Sequence, residues 1–289
     1  MRTTTDERDG RPCWDAEPGE ELVPGWRAWE HLGTGHRCEA WLAWSTGRWC
    51  AGVVKLARPD QVDHPRARRS LAREARALAA GPHPGLPTLF VKATRARVPH
   101  LVESYADGPA LDELLDESGV LDDAAAALLG VHLLSALVPV HGRGLGHLDI
   151  KPENVVVDEG RPCLLDFGSS RRLGGRRDPG TPIGTPGYAA PDLDAGASPA
   201  ASHDVFGVGA TLAAALTNLR PDPSAVTAVE RWPLGDRHES PLLDAVRAML
   251  ADDPGERPTV PQALWALAAA LPEEQEPWPP GVVPAGLVS

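Results

Sequence analysis

A chain of 289 residues with 42% hydrophobic composition can bury a sizeable core, as one large domain or as two lobes. Its formal charge of −12 makes nonspecific nucleic-acid binding a poor default. Its four cysteines (Cys13, Cys38, Cys50, Cys163) form no CxxC pair and suit neither a zinc site nor a secreted disulfide framework, so a reduced, cytoplasmic setting is expected.

Residues 1–24 are polar and rich in glycine, proline and charge, and they lack the apolar segment of a signal peptide; a flexible arm is expected there. From Trp26 to about Tyr105 the chain carries short β-like runs, "WLAW", "CAGVVKL" and "HLVES". One helical stretch, "RARRSLAREARALAA", interrupts them, with Leu71, Ala75 and Leu78 at helical spacing. From Leu111 onward the pattern is mainly helical, in "DDAAAALLGVHLLSALVPVHG", "HDVFGVGATLAAALT", "SPLLDAVRAML" and "VPQALWALAAAL". Asp122 or Asp123 and Ser240 suit N-caps, and Pro139 is expected to end or kink the first of these helices. The longest apolar candidate, Ala124 to Val140, contains His132, Ser135 and Pro139 and reads as a buried helix, so no membrane anchor is expected. The Pro-rich tail, 272–289, is expected to be extended. The fold class is therefore α+β: a small β-rich lobe, a larger helical lobe and a ligand cleft between them.

The most explicit stretch is "GHLDIKPENVVVDEGRPCLLDFGSS", residues 146–170. Asn154 precedes "VVV", Asp166 follows "CLL", and the turn-rich "DEGRP" joins the two runs. Antiparallel pairing of the runs would bring an amide oxygen and a carboxylate together at one end of a hairpin. Hard oxygen ligands of this kind suit Mg²⁺ held with substrate phosphates. Asp149 and Lys151 lie on the loop entering the hairpin. A carboxylate there can accept a proton from an attacking hydroxyl, and an ammonium can neutralise charge on a transferring phosphoryl group. Upstream, Gly33 and Gly35 in "HLGTGHRC" would let backbone amides approach a polyphosphate. Lys55 closes the apolar run "VVK", and Glu74 on the arginine-rich helix could hold it against phosphate, although Arg69, Arg73 and Arg76 offer Glu74 local partners.

These residues resemble the eukaryotic-type protein kinase family, also common in bacteria, over roughly Gly25 to Leu271. "GTGHRC" is similar to the glycine-rich loop with Cys38 in place of the third glycine. "GVVK" resembles the strand with the ATP-contacting lysine, Lys55, and "REARAL" supplies the helix glutamate, Glu74. "HLDIKPEN" resembles the catalytic loop, with Asp149 as base, Lys151 at the γ-phosphate and Asn154 on metal. "DFG" makes Asp166 the main metal ligand, and "GTPGYAAPD" resembles the end of the activation segment. Asp204 matches the helix aspartate that braces the catalytic loop, and Arg257 the arginine that pairs with the segment's terminal acid, here Asp192.

The resemblance implies a bilobal fold, with a flexible arm at 1–24, an N-lobe at about 25–103, a C-lobe at about 107–271 and a tail beyond. It implies ATP and Mg²⁺ as cofactors, and a serine/threonine specificity that rests on Lys151. Protein substrates are the partners it implies; nucleic acid is not, and a homodimer is left open. Ser104, Tyr105 and Ala106 would form the adenine-contacting hinge, after Glu103 where an apolar residue or threonine is common. Leu148 stands where an arginine usually holds a phosphorylated activation segment. Leucine cannot bind phosphate, so activity is expected not to depend on phosphate at Thr181, unless Arg171, Arg172, Arg176 or Arg177 has taken over. A pseudokinase, kept as a nucleotide-binding or scaffolding module, is the alternative, carried by Cys38, Leu148 and Glu103. A small-molecule phosphotransferase of the same fold is made less favourable by "GTPGYAAPD".

Overall fold

The computed structural model describes residues 1–177, 182–222, 227–234 and 240–271. Its N-terminal part is built on β1 (Arg2–Thr5), β2 (Pro12–Asp15), β3 (Glu21–Val23), β4 (Trp26–Thr34), β5 (Cys38–Ser45), β6 (Cys50–Ala57), helix α1 (Pro65–Leu78), β7 (Leu89–Ala93) and β8 (His100–Ser104). Strands β3 to β8 form one antiparallel six-stranded sheet in the order β3-β4-β5-β6-β8-β7. The two-residue side-chain period of a strand sorts β6 cleanly. Val54 and Leu56 are fully buried in the sheet's core, while Val53 and Lys55 point to the other face. Ridges of α1 pack on β6, β7 and β8 through Leu71, Ala75 and Leu101.

The C-terminal part contains α2 (Leu111–Ser118), α3 (Asp123–Gly142), β9 (Leu145–Gly146), β10 (Val155–Asp158), β11 (Arg161–Leu164), β12 (Arg171–Arg172), α4 (Pro191–Asp194), α5 (Ala201–Thr217), α6 (Ala228–Arg231), α7 (Pro241–Met249) and α8 (Val260–Ala269). The core is α3 packed against α5 and α8, with α7 behind α5. Close approach here requires Gly130: a Cβ at that position would meet Leu267 Cδ1 at 2.5 Å and Leu212 Cδ1 at 2.9 Å. Asp122 caps α3 by accepting the Ala125 N–H at 2.8 Å, and Ser240 caps α7 by accepting that of Leu243. By length and composition alone α3 could cross a membrane, but half of it is buried against its neighbours.

Two expectations are corrected. Of the two outcomes expected at Pro139, an end or a kink, the end does not occur: the helix runs on to Gly142, because the proline falls in the last turn and removes one hydrogen bond without blocking a short continuation. Nor is the N-terminal segment a loose arm. β1 and β2 pair as an antiparallel hairpin, Arg2 opposite Asp15 and Thr5 opposite Pro12. Long-range polar contacts hold it down. Trp14 donates its backbone N–H to Glu39 and its indole N–H to the Ala57 carbonyl at 2.8 Å, while Arg58, only 1% exposed, pairs with Asp9. The Pro-rich tail and Thr181 lie outside the described residues.

Candidate active site

The hairpin inferred from "VVV" and "CLL" forms. Val155 pairs with Leu164 and Asp158 with Arg161, and the Leu165 N–H donates to the Asn154 carbonyl at 2.8 Å. Asn154 and Asp166 therefore leave the same end of one hairpin, as the spacing requires. Asn154 Nδ2 donates to the Asp149 carbonyl at 2.8 Å, which turns its Oδ1 the other way. Asp166 adopts a left-handed backbone (φ 59°) and accepts the Gly168 N–H on Oδ1 at 3.0 Å. The surrounding protein opposes its charge, but Lys55 and the Gly168 N–H outweigh that and hold the carboxyl below its ordinary range.

Asp149 sits on the preceding loop. Thr185 Oγ1 donates to Asp149 Oδ1 at 2.7 Å, so the far end of the activation segment reaches the carboxylate. His147 bridges the same loop: Nδ1 accepts the Asp149 N–H at 3.2 Å, and Nε2 bonds the Leu165 carbonyl at 2.9 Å. The ring packs edge-on against Phe167, which is fully buried. This is a structural histidine that ties the loop to the hairpin. Beneath it, Asp204 of α5 accepts the N–H groups of His147 at 2.8 Å and Leu148 at 2.6 Å, and His141 Nε2 lies 2.7 Å away. That brace lets Leu148 keep a left-handed backbone (φ 68°) with its side chain 3% exposed in the core. Lys151 precedes the single turn Pro152–Asn154 that leads into β10.

On the sheet side, Lys55 points from the cleft face of β6. It pairs with Glu74 of α1 and with Glu103 of β8, the latter at 2.9 Å. Burial works against the ammonium, but the two glutamates and Asp166 raise its pKa and keep it charged. Burial pushes the Glu74 carboxyl up to about 7, and the charges of Glu103 and Asp166 add to the push against Lys55. Burial raises Glu103 as well, and its Oε2 has no hydrogen-bond partner among the described residues. Sequence reading had noticed Glu103 only as an odd charge near the hinge; its pairing with Lys55 needed β8 beside β6. The ladder ends at the Gly52–Ser104 pair, so Tyr105 and Ala106 continue outside the sheet. Ser104 is tied to Thr88 twice, its Oγ accepting the Thr88 N–H and its own N–H donating to the Thr88 carbonyl, each at 2.9 Å.

A Cβ at Gly33 would meet nothing within 4 Å, so no contact within the chain demands a glycine there; the open space fits a ligand that comes close to the backbone. Gly35 is tighter, with its N–H on the Cys38 carbonyl at 2.8 Å. Cys38 itself packs against the α1 cluster. Burial, with Glu74 and Asp166 nearby, pushes its thiol up to about 12, which disfavours a thiolate at neutral pH.

The contact made by Arg73 was missed from sequence. Arg73, next to Glu74, donates through Nε and Nη2 to the Gly168 carbonyl at 3.2 and 3.1 Å, locking α1 to the segment after Asp166. It also lines a pocket with Arg76, Arg171, Arg172 and Arg176. Within that cluster Arg171 donates to the Ser169 and Ser170 carbonyls; outside it, Arg177 donates to that of Leu193. The expected brace at the end of the segment is present: Asp192 accepts from Arg257 at 2.8 Å and lies 2.7 Å from His203 Nε2.

Comparison with known proteins agrees with this geometry. The model of the protein kinase domain family matches residues 26–266. Serine/threonine-protein kinase PknK of Mycobacterium tuberculosis is 35% identical over 209 residues, covering 69% of this chain and 18% of that protein. Probable serine/threonine-protein kinase PkwA of Thermomonospora curvata is 29% identical over 279 residues, 93% of this chain and 37% of the relative. Serine/threonine-protein kinase PkaA of Streptomyces coelicolor is 30% identical over 251 residues, 84% and 42%. The chain thus spans less than half the length of these relatives. With the matched span running from β4 into α8, over Lys55, Asp149 and Asp166, the chain belongs to the protein kinase family, in its bacterial serine/threonine branch.

Proposed function

We propose that residues 25–271 are a cytoplasmic kinase domain that transfers the γ-phosphoryl group of Mg·ATP to serine or threonine hydroxyls of protein substrates. The observation that carries this is the convergence at the β10–β11 hairpin: the Asp149 carboxylate held by Thr185, and Asn154 and Asp166 at the hairpin's open end. Asn154 Oδ1 and the Asp166 carboxylate are hard oxygen donors that fit Mg²⁺, which when bound there would neutralise phosphate charge. Lys55 holds phosphate oxygens once freed to turn from Glu103, with Glu74 keeping it in place. The backbone at Gly33 and Gly35 covers the phosphates, and the backbone of Ser104 to Ala106 receives the base. Asp149 accepts the proton of the attacking hydroxyl, and Lys151 lies on the same loop to meet charge on the transferring group.

The test is transfer of labelled phosphate from ATP to a generic basic protein. Asp149→Asn is expected to reduce transfer by ~10²- to 10⁴-fold with nucleotide binding nearly intact, since a base is lost and the metal ligands stay. Near-full transfer by this variant would contradict the assignment. A pseudokinase is the second reading, favoured by Glu103 on Lys55; a purified protein that binds ATP but releases and transfers no phosphate would establish it.

A further inference from the structure

The hairpin ahead of the matched domain grips the glycine-bearing turn between β4 and β5. Arg8 Nη2 donates to the Thr34 carbonyl at 3.4 Å, Arg58 Nη1 to that of Gly35 at 3.3 Å, and Arg11 Nη1 to that of His36 at 2.9 Å. The Arg58 N–H adds a bond to the Arg37 carbonyl at 3.0 Å. Of four consecutive carbonyls of one turn, two are thus held by hairpin arginines and two by Arg58, which the hairpin holds in turn. Each guanidinium is itself anchored: Arg8 by Asp6, Arg11 by Asp60, and Arg58 by Asp9 at 2.7 Å. With their charges matched, these arginines are not poised as phosphate ligands; their remaining N–H groups go to the turn's backbone. Arg58 lies three residues beyond Lys55 and also donates to the hairpin carbonyls of Pro12 and Arg11. One network therefore joins the hairpin, the turn and the strand that carries Lys55.

We propose that the β1–β2 hairpin is a built-in clamp that pre-orders this turn for a nucleoside triphosphate, with Arg8, Arg11 and Arg58 as positioning residues. The proposal rests on the nucleotide reading of the cleft. An unheld turn loses backbone freedom when it closes over a ligand, and a turn already held loses less, so affinity rises without a new ligand contact. The clamp acts on binding, and Asp149, Asn154 and Asp166 lie on the other lobe, untouched by it. Its effect therefore falls on KM for ATP and leaves kcat alone.

The test uses the full chain with Arg8→Ala, Arg11→Ala and the pair, and Arg2→Ala as control; Arg2 sits on the same hairpin but pairs with Asp15 and Glu17, away from the turn. The paired variant is expected to raise KM for ATP about 5- to 20-fold with kcat within about twofold, and amide exchange at residues 33–38 is expected to speed up at least tenfold in free protein. Arg2→Ala is expected to leave KM, kcat and exchange unchanged. Arg8 is a surface side chain, 67% exposed, so its single variant keeps the fold and repeats the test should the pair fail to fold. Unchanged KM and exchange, or a loss confined to kcat, overturns the clamp. A parent protein that binds no ATP would instead overturn the nucleotide reading, and the exchange measurement would still decide whether the hairpin orders the turn.

Discussion

Two acidic clusters, one on each lobe, are balanced differently, with Asp204, Glu74 and Glu103 buried and Asp192 half-buried. Under the catalytic loop, Asp204 is fully buried and meets two backbone N–H groups and His141, and Asp192 meets Arg257 and His203. Their hydrogen bonds outweigh burial and lower both carboxyl pKa values, that of Asp192 to about 2. At Lys55 the balance runs the other way. Two carboxylates press on one ammonium, burial raises both, and one oxygen of Glu103 is left without a partner among the described residues. A matched cluster stabilises the fold. A cluster with surplus negative charge favours a nearby cation, and under the proposed reading Mg²⁺ held by Asn154 and Asp166 would supply it.

The sharpest way to break the comparison is to unbalance the matched side. Asp204→Ala leaves the N–H groups of His147 and Leu148 and the His141 ring without their acceptor, at about 1–3 kcal/mol per buried group. A loss of at least ~3 kcal/mol in urea unfolding is expected, with the catalytic loop disordered. A loss below ~1 kcal/mol would mean that the brace is dispensable.

Next in size is the acid limb of stability. The Asp192 carboxyl is depressed from 3.8 to about 2. Its contribution is therefore full above pH ~4 and is lost as pH falls through about 2. It amounts to about 2 kcal/mol, and Asp192→Asn should remove that part of the acid sensitivity. Identical stability slopes between pH ~4 and ~2 in variant and parent would contradict this.

The opposite slope belongs to the Lys55 side. A raised Glu74 contributes stability that is present below its ordinary 4.5 and lost as pH rises through about 7. Glu103→Gln removes one of the competing charges. It is expected to flatten this neutral limb and to raise the ligand-free melting midpoint at pH ~7.5 by about 2–4 °C, the shift that ~1 kcal/mol makes in a chain of this size. A lowered midpoint would show the triad to be a stabilising ion pair after all.

What the sequence disclosed and what it hid follow the same division. The catalytic loop and its hairpin were legible because their chemistry is encoded in local spacing: Asp149, Lys151, Asn154 and Asp166 fall within eighteen residues, and pairing of "VVV" with "CLL" does the rest. The long helices α3 and α5 were legible as long apolar runs, α3 also by its Asp122 cap. Contacts made across the chain were not. The 1–24 segment looked loose because its composition is polar; its order comes from Arg58, Asp60 and Glu39, which sequence places more than twenty residues away. Glu103 stood out only as a charge where an apolar residue or threonine is common, because its partner Lys55 lies on the neighbouring strand β6. Arg73 was weighed only as a helix neighbour of Glu74, whereas it spends its guanidinium on Gly168.

The central claim, that the cleft binds nucleotide with Mg²⁺ on Asn154 and Asp166, is tested most directly by calorimetry of ATP binding to the parent and to Asp166→Asn, with and without Mg²⁺. The account predicts that Mg²⁺ tightens ATP binding to the parent by more than about tenfold, and that Asp166→Asn loses most of that gain. Equal affinities for the two proteins in Mg²⁺ would contradict it and remove Asp166 from the metal site.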